Sequence, residues 1–336
     1  MSKILHRLYD LNSGGAEVVV LNMVRALPEH KHVIVFTNHS ATWVASELER
    51  TNGVSLVDVE CRDPRQVFSS ESPDVLLFHY YPPMSREDLA ELPLGIAERA
   101  AVYNHWYTEV PYLPPIQRYC FPAPSSTRTS GIEVPEQYRT TIINPVSECF
   151  FSVRRRDDAT FRVGRHSRAS SRKFSSDFFD LFEQIAIADL QVLALGHTAE
   201  LAAWLSQRSS GLKHVYWLLP FNSMDVEKFL SFIDIYVYKT RDDFRETSPV
   251  CILESLASGI PVVAEAKGGI VDLVLNGETG YLCNTLEEYR SGVEALYTDP
   301  SLRSRYAGAA REWAREHASL RRFRQQVLTW LNLPAG

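Results

Sequence analysis

Short runs of β-branched and aromatic residues alternate with amphipathic stretches along most of the chain. Strands and helices taken in turn leave this pattern in parallel α/β architecture. Ile4–Tyr9 reads as a first strand, and Ser13-Gly14-Gly15-Ala16-Glu17 as a turn into a helix reaching about Leu27. His32–Thr37, Asp74–His79, Ala101–Asn104 and Thr140–Asn144 read as further strands, the last stopped by Pro145. A second series starts at Phe161-Arg162-Val163-Gly164-Arg165 and continues through Gln191–Gly196, His214–Leu219, Asp234–Tyr238 and Pro261–Ala264. The stretch from Leu302 to Leu331 reads as helical, with Tyr306, Trp313, Phe323, Val327, Trp330 and Leu331 as packing residues.

The pattern breaks in two places. Residues 113–136 carry Pro114, Pro115, Pro122 and Pro124 with a run of Ser and Thr, and read as a long loop, either functional or a variable surface connection. Residues 146–160 hold Arg154-Arg155-Arg156 and Asp157-Asp158 and read as a polar bridge between domains. The expected organisation is a first domain over 1–150, a second over 151–315 and a C-terminal helix over 316–336.

A chain of 336 residues with 45% hydrophobic and 23% charged positions suits two domains with ordinary cores. A formal net charge of −6 argues against nonspecific nucleic-acid binding. No apolar region follows the basic start, and no stretch approaches eighteen apolar residues, so neither a signal peptide nor a membrane span is expected. Five scattered cysteines without Cys-x-x-Cys suggest free thiols in a reducing cytoplasm.

The chemistry concentrates between Glu246 and Gly269. Glu246 and Glu254 are separated by seven residues; Gly259, an apolar strand and the pair Gly268-Gly269 follow. Carboxylates accept from vicinal hydroxyls, and backbone N–H groups at helix starts bind phosphate oxygens. The block therefore suits a ligand carrying both. Its ordered motifs, Glu246-x7-Glu254, Gly259-Ile260-Pro261-Val262-Val263, Gly268-Gly269-Ile270 and Asn276-Gly277-x-Thr279-Gly280, resemble the donor-site signature of the retaining glycosyltransferases of family 4.

That resemblance implies the GT-B fold: two Rossmann-like domains facing a cleft, with the last helix crossing back to the N-terminal domain. It implies transfer of a hexose, with retention and without a metal or other cofactor, from a nucleotide diphosphate-sugar to a hydroxyl acceptor. A UDP-sugar is favoured over a GDP-sugar. Glu246 would face the donor sugar and Glu254 the ribose, with Thr247, Ser248 and Val250 lining the donor site. Val163-Gly164-Arg165 resembles the start of the family's phosphate-binding pair, giving Arg165 and Lys173 to the diphosphate with Arg168 and Arg172 beside them. Arg binds phosphate bidentately, and Lys acts as a mobile charge. Gly14 and Gly15 would face the phosphates, and His105, after a strand, would lie near the reacting sugar. Thr141–Val146 resembles the family's hinge element, a structural role.

Ser248-Pro249 departs from the glycines usual there, and proline removes one N–H donor while suiting the first helical position. The absence of Asp-x-Asp supports the metal-free expectation. The acceptor stays open among polysaccharide, lipid-linked and small-molecule classes. Peripheral contact with the inner face of a membrane, through the aromatic loop near Trp106 or the Arg154–Arg156 run, is one alternative to solvated loops. Two other readings are a catalytically silent relative that binds or partners, and a phosphorolysis or epimerisation on the same fold.

Overall fold

In the computed structural model the apolar runs form two parallel sheets. The described residues are 1–12, 14–39, 42–80, 92, 94–107, 109–129, 131–175, 177–208 and 211–335; Ser13 of the first glycine turn lies outside them. The chain divides into two compact units, residues 1–145 with 320–336, and residues 146–319.

In chain order the strands of the first unit are β1 (Lys3–Arg7), β2 (Asp10–Leu11), β3 (Lys31–Phe36), β4 (Asn38–His39), β5 (Val54–Asp58), β6 (Val75–Tyr80), β7 (Ala100–Asn104), β8 (Tyr119–Phe121) and β9 (Arg139–Thr141). Seven of them form one sheet in the order β5-β3-β1-β6-β7-β8-β9, while β2 and β4 pair separately. Alternation along a strand sends neighbouring side chains to opposite faces. Leu5, Val33, Val35, Leu76, Phe78 and Val102 accordingly pack on one face with Phe68 and Tyr119. On the other face Ile34 joins Leu21 and Val24 of the helix Gly15–Ala26. Tyr103 there meets the rings of Phe323 and Trp330 from the C-terminal helix Leu320–Leu331. That helix is also held to this unit by Arg324, which donates to Ala26 O at 2.9 Å, and by Leu331 O, which accepts from Arg118 at 3.0 Å.

The second unit repeats the plan. Its strands are β10 (Arg162–His166), β11 (Gln191–Leu195), β12 (Val215–Leu219), β13 (Ile235–Tyr238), β14 (Val262–Glu265) and β15 (Gly280–Cys283), ordered β12-β11-β10-β13-β14-β15. All neighbouring pairs are parallel. Val163, Ile235, Val237 and Val263 form its core with Phe178, Phe179 and Phe182 from the helix Phe178–Glu183.

Two features differ from the sequence expectation. Residues 113–136 are not a loose loop: they contain β8, and Ile116, Tyr119, Cys120, Phe121, Ala123 and Val134 are buried. The prolines lie around the short strand rather than inside it, so ladder pairing survives. The basic run 154–156 is partly spent within its own unit, because Arg155 pairs with buried Asp234 and Arg156 lies over the Phe232 ring. All five cysteines are free. Among the described residues no helix is long and apolar enough to cross a membrane.

Candidate active site

In the second sheet the strand order reverses beside β10, which has β11 on one side and β13 on the other. A crevice forms outside the carboxyl ends of strands at such a switch point, and ligands collect there. β10 delivers Arg165 and His166 to this edge, and β13 delivers Tyr238 followed by Lys239.

Glu246 stands in the loop after β13 and is only 9% exposed. Its Oε1 accepts from Tyr238 Oη at 2.5 Å and pairs with Lys173 Nζ at 2.9 Å. Burial pushes a carboxyl pKa up, but the Lys173 cation and the Tyr238 hydroxyl outweigh it and hold Glu246 below its ordinary value. It is thus an ionised, oriented acceptor. The glycine pair explains how its backbone is fixed. Gly269 N–H donates to Glu246 O at 2.8 Å. Gly268 has φ +60°, and a Cβ there would lie 2.5 Å from that same oxygen. Only glycine fits both demands. The spacing between Glu246 and Gly268-Gly269 in the sequence is therefore a contact in space.

Glu254 is the fifth residue of the helix Val250–Ala257. Pro249 is the N-cap with ψ 114°, rather than the first helical residue, and its carbonyl accepts from Ile252 N–H at 3.0 Å. Proline costs no helical hydrogen bond at this position. Thr247, Ser248 and Val250 are buried around it. At the far end Arg311 donates to Ser258 O at 2.7 Å and to Val153 O at 3.0 Å, placing a cation where helix carbonyls point.

Glu254 Oε2 lies 2.7 Å from His166 Nε2. The sequence reading missed His166, although it follows Arg165 directly. Its ring packs edge-on against Phe229 and Tyr236, and its backbone carbonyl accepts from Tyr236 Oη at 2.8 Å. Glu254 is thus oriented by an imidazole before any hydroxyl reaches it.

Arg165 takes the other face of β10. Consecutive residues in β10 point to opposite faces, so with His166 toward Glu254, Arg165 turns into the core side. It is 0% exposed, with its guanidinium 4.0 Å from the Phe174 ring centroid and 4.3 Å from that of Tyr238. Nη1 donates to Lys239 O at 2.7 Å, while Nε and Nη2 have no hydrogen-bond partner among the described residues. Phe174 forms one wall of this aromatic box. Lys173 is partly exposed, and Arg168 and Arg172 are exposed. These three, unlike Arg165, present cations at the surface. Lys239 also belongs to the edge: its Nζ donates to Ser175 Oγ and Asp177 Oδ1, both at 2.9 Å.

In the first unit Gly14 is the N-cap of the helix Gly15–Ala26. Gly15 is exposed, and a Cβ on it would meet nothing within 4 Å. Neither packing nor a positive φ requires glycine at 15. His105 directly follows β7, with Nε2 2.9 Å from His79 Nδ1. Burial pulls its pKa down to about 3, so it is neutral at physiological pH.

The geometry matches known proteins. Residues 160–313 match the family model of the glycosyl transferases group 1. Structures agree over the whole chain. HepE of Anabaena, solved with UDP and glucose, is 15% identical with a TM-score of 0.78, over 99% of this chain and 100% of that one. A glycosyltransferase from Rickettsia africae is 13% identical with a TM-score of 0.76, over 98% of each chain. Sucrose-phosphate synthase from Thermosynechococcus elongatus is 13% identical with a TM-score of 0.73, over 99% of this chain and 98% of that one. The fold is GT-B. No curated protein matches the sequence. Glu246, Glu254, His166, Lys173, Arg165 and the Gly268-Gly269 turn all fall inside the stretch that matches the group 1 model.

Proposed function

We propose that the protein is a retaining glycosyltransferase that moves a hexose from a nucleotide diphosphate-sugar, a UDP-sugar by preference, to a hydroxyl acceptor without a metal. One observation carries this reading. Two oriented carboxylates, Glu246 on Lys173 and Glu254 on His166, meet at the switch point of a sheet lying within the group 1 match. The UDP preference takes support from the similar HepE, solved with UDP and glucose.

The residues divide the work by what they expose. Glu254 accepts from the vicinal ribose hydroxyls, with His166 fixing its second oxygen. Glu246 accepts from hydroxyls of the sugar. Lys173, with Arg168 and Arg172 nearby, meets the diphosphate. Arg165 acts from behind: its buried charge helps keep Glu246 ionised.

In the reaction the bond between the anomeric carbon and the phosphate oxygen breaks, and its electron pair stays on the diphosphate. The acceptor oxygen bonds to that carbon from the same face, and its proton passes to the departing phosphate oxygen. Negative charge grows on the diphosphate as it leaves, so a cation there stabilises the transition state more than the ground state. No protein nucleophile is required. Polysaccharide, lipid-linked and small-molecule acceptors, including one at a membrane surface, all offer the same hydroxyl.

Release of UDP from UDP-glucose tests the reading. The wild-type protein should turn the donor over equally well with and without EDTA. Glu246→Gln and Lys173→Ala should each lower the rate by about a hundredfold, the loss expected when a group that stabilises developing charge is removed. Turnover that is absent in the wild type, or unchanged in both variants, would contradict it.

A further inference from the structure

Four histidines cross the first sheet in a staircase. His32 on β3 lies opposite Ile4 on β1, and His6 is two residues further along β1. His6 lies opposite Leu77 on β6, and His79 is two further along β6. His79 lies opposite Tyr103 on β7, and His105 is two further again. Each step moves one strand sideways and two residues toward the carboxyl edge, so all four rings share one face.

The rings join nitrogen to nitrogen. His105 Nε2 is 2.9 Å from His79 Nδ1, His79 Nε2 is 3.1 Å from His6 Nδ1, and His6 Nε2 is 3.0 Å from His32 Nδ1. The last nitrogen, His32 Nε2, is 3.0 Å from Leu27 O. Hydrogen-bonded ring planes lie within 25° of one another. His6, His32 and His79 are each at most 3% exposed. Burial lowers the pKa of all three, and that of His105 falls to about 3. The nitrogens run in line rather than converging, and no group of three or more described His, Cys, Asp or Glu residues is placed to hold a metal.

The carbonyl at the end decides the order of protons. A carbonyl oxygen only accepts, so His32 Nε2 carries a hydrogen. A neutral His32 then has a bare Nδ1, which must accept from His6 Nε2–H. The same step repeats to His79 and to His105. We propose that this chain is a tautomer-locking relay: Leu27 O, through His32, His6 and His79, holds His105 neutral with its hydrogen on Nε2 and makes Nδ1 its acceptor nitrogen. The ligand this suits is a hydroxyl donor at the carboxyl edge of β7. Only its identification as a sugar hydroxyl rests on the glycosyltransferase reading. His6, His32 and His79 are positioning residues that act through His105.

Long-range proton–nitrogen correlation spectra of the full chain with labelled histidine test the relay directly. At neutral pH, His6, His32, His79 and His105 should all show a protonated Nε2 and a bare Nδ1. One of them as an imidazolium or as the other tautomer would overturn the relay. His6→Gln keeps an acceptor oxygen and a donor amide along the same line, whereas His6→Phe keeps the shape and breaks the line. His105 should keep its tautomer in His6→Gln and become a mixture in His6→Phe. If it stays locked in His6→Phe, the anchor is not Leu27 O. In donor turnover, His6→Phe should lower kcat about tenfold with the donor KM unchanged, the loss of one well-placed hydrogen bond, and His6→Gln should restore most of it. Four locked tautomers in a protein without donor turnover would sink the functional reading alone; turnover with unlocked tautomers would sink the relay alone.

Discussion

The two units share a sheet plan but fill the edge beside their first strands with opposite chemistry. In the second, Lys173 pairs with Glu246 and Lys239 with Asp177, and a Glu254 carboxylate oxygen is hydrogen-bonded to the His166 ring. In the first, a row of neutral imidazoles ends on a backbone carbonyl. Strand order alone therefore says where a ligand is received, and not how. Paired charges orient carboxylates. A neutral row fixes the direction of one hydrogen bond without placing a charge in the core, which burial would penalise.

Acid should separate the two units most strongly. His6, His32, His79 and His105 of the first unit have folded pKa values below their ordinary 6.5, so below that pH the unfolded chain binds more protons and stability falls. The loss continues until the folded values are reached, which for His105 is about 3. Each histidine kept neutral costs up to about 1.4 kcal/mol per pH unit in that window. Glu246, also lowered, contributes stability above its ordinary 4.5 that is lost only as the pH falls through its folded value. Hydrogen exchange from neutral pH to just above 4.5 should therefore show the first sheet opening while the residues around Glu246 stay protected. Equal opening of both would remove the distinction.

The next effect lies in the loop that fixes Glu246. Gly268→Ala meets both a positive φ and Glu246 O, and should destabilise the second unit by about 2 kcal/mol in denaturant melts. It should also slow donor turnover, because the carboxylate moves with its backbone. Retained stability would mean that this contact does not hold the loop. Smaller still is Arg311→Ala, which removes three charged hydrogen bonds to carbonyls, two of them at the end of the helix Val250–Ala257, for about 1 kcal/mol in the same melt. The relay of the first unit should be untouched by either change, as read from the His105 tautomer.

These predictions follow how much could be read before the fold was known. Apolar alternation placed β1, β3, β6, β7, β10, β11, β12, β13 and β14 to within a few residues. It passed over β5 (Val54–Asp58), whose residues are half-exposed, and β8, hidden among prolines. The cluster around Glu246 was legible because its parts are close in sequence and each glycine has a local reason. The burial of Arg165 was not legible because a motif gives neighbours and not faces: one residue of shift in a strand reverses the side chain. His166 was lost for the same reason. The histidine staircase was not readable at all. Its members lie between 26 and 73 residues from their hydrogen-bonded partners, and only strand order and register bring them into line.

Isothermal titration of the purified protein with UDP, GDP and ADP, each with and without EDTA, tests the central claim most directly. The account predicts that UDP binds, that EDTA leaves binding unchanged, and that Glu254→Ala weakens it by about tenfold or more, as expected when a charged hydrogen-bond acceptor for the ribose is lost. Binding of no nucleotide, or UDP binding indifferent to Glu254→Ala, would contradict it.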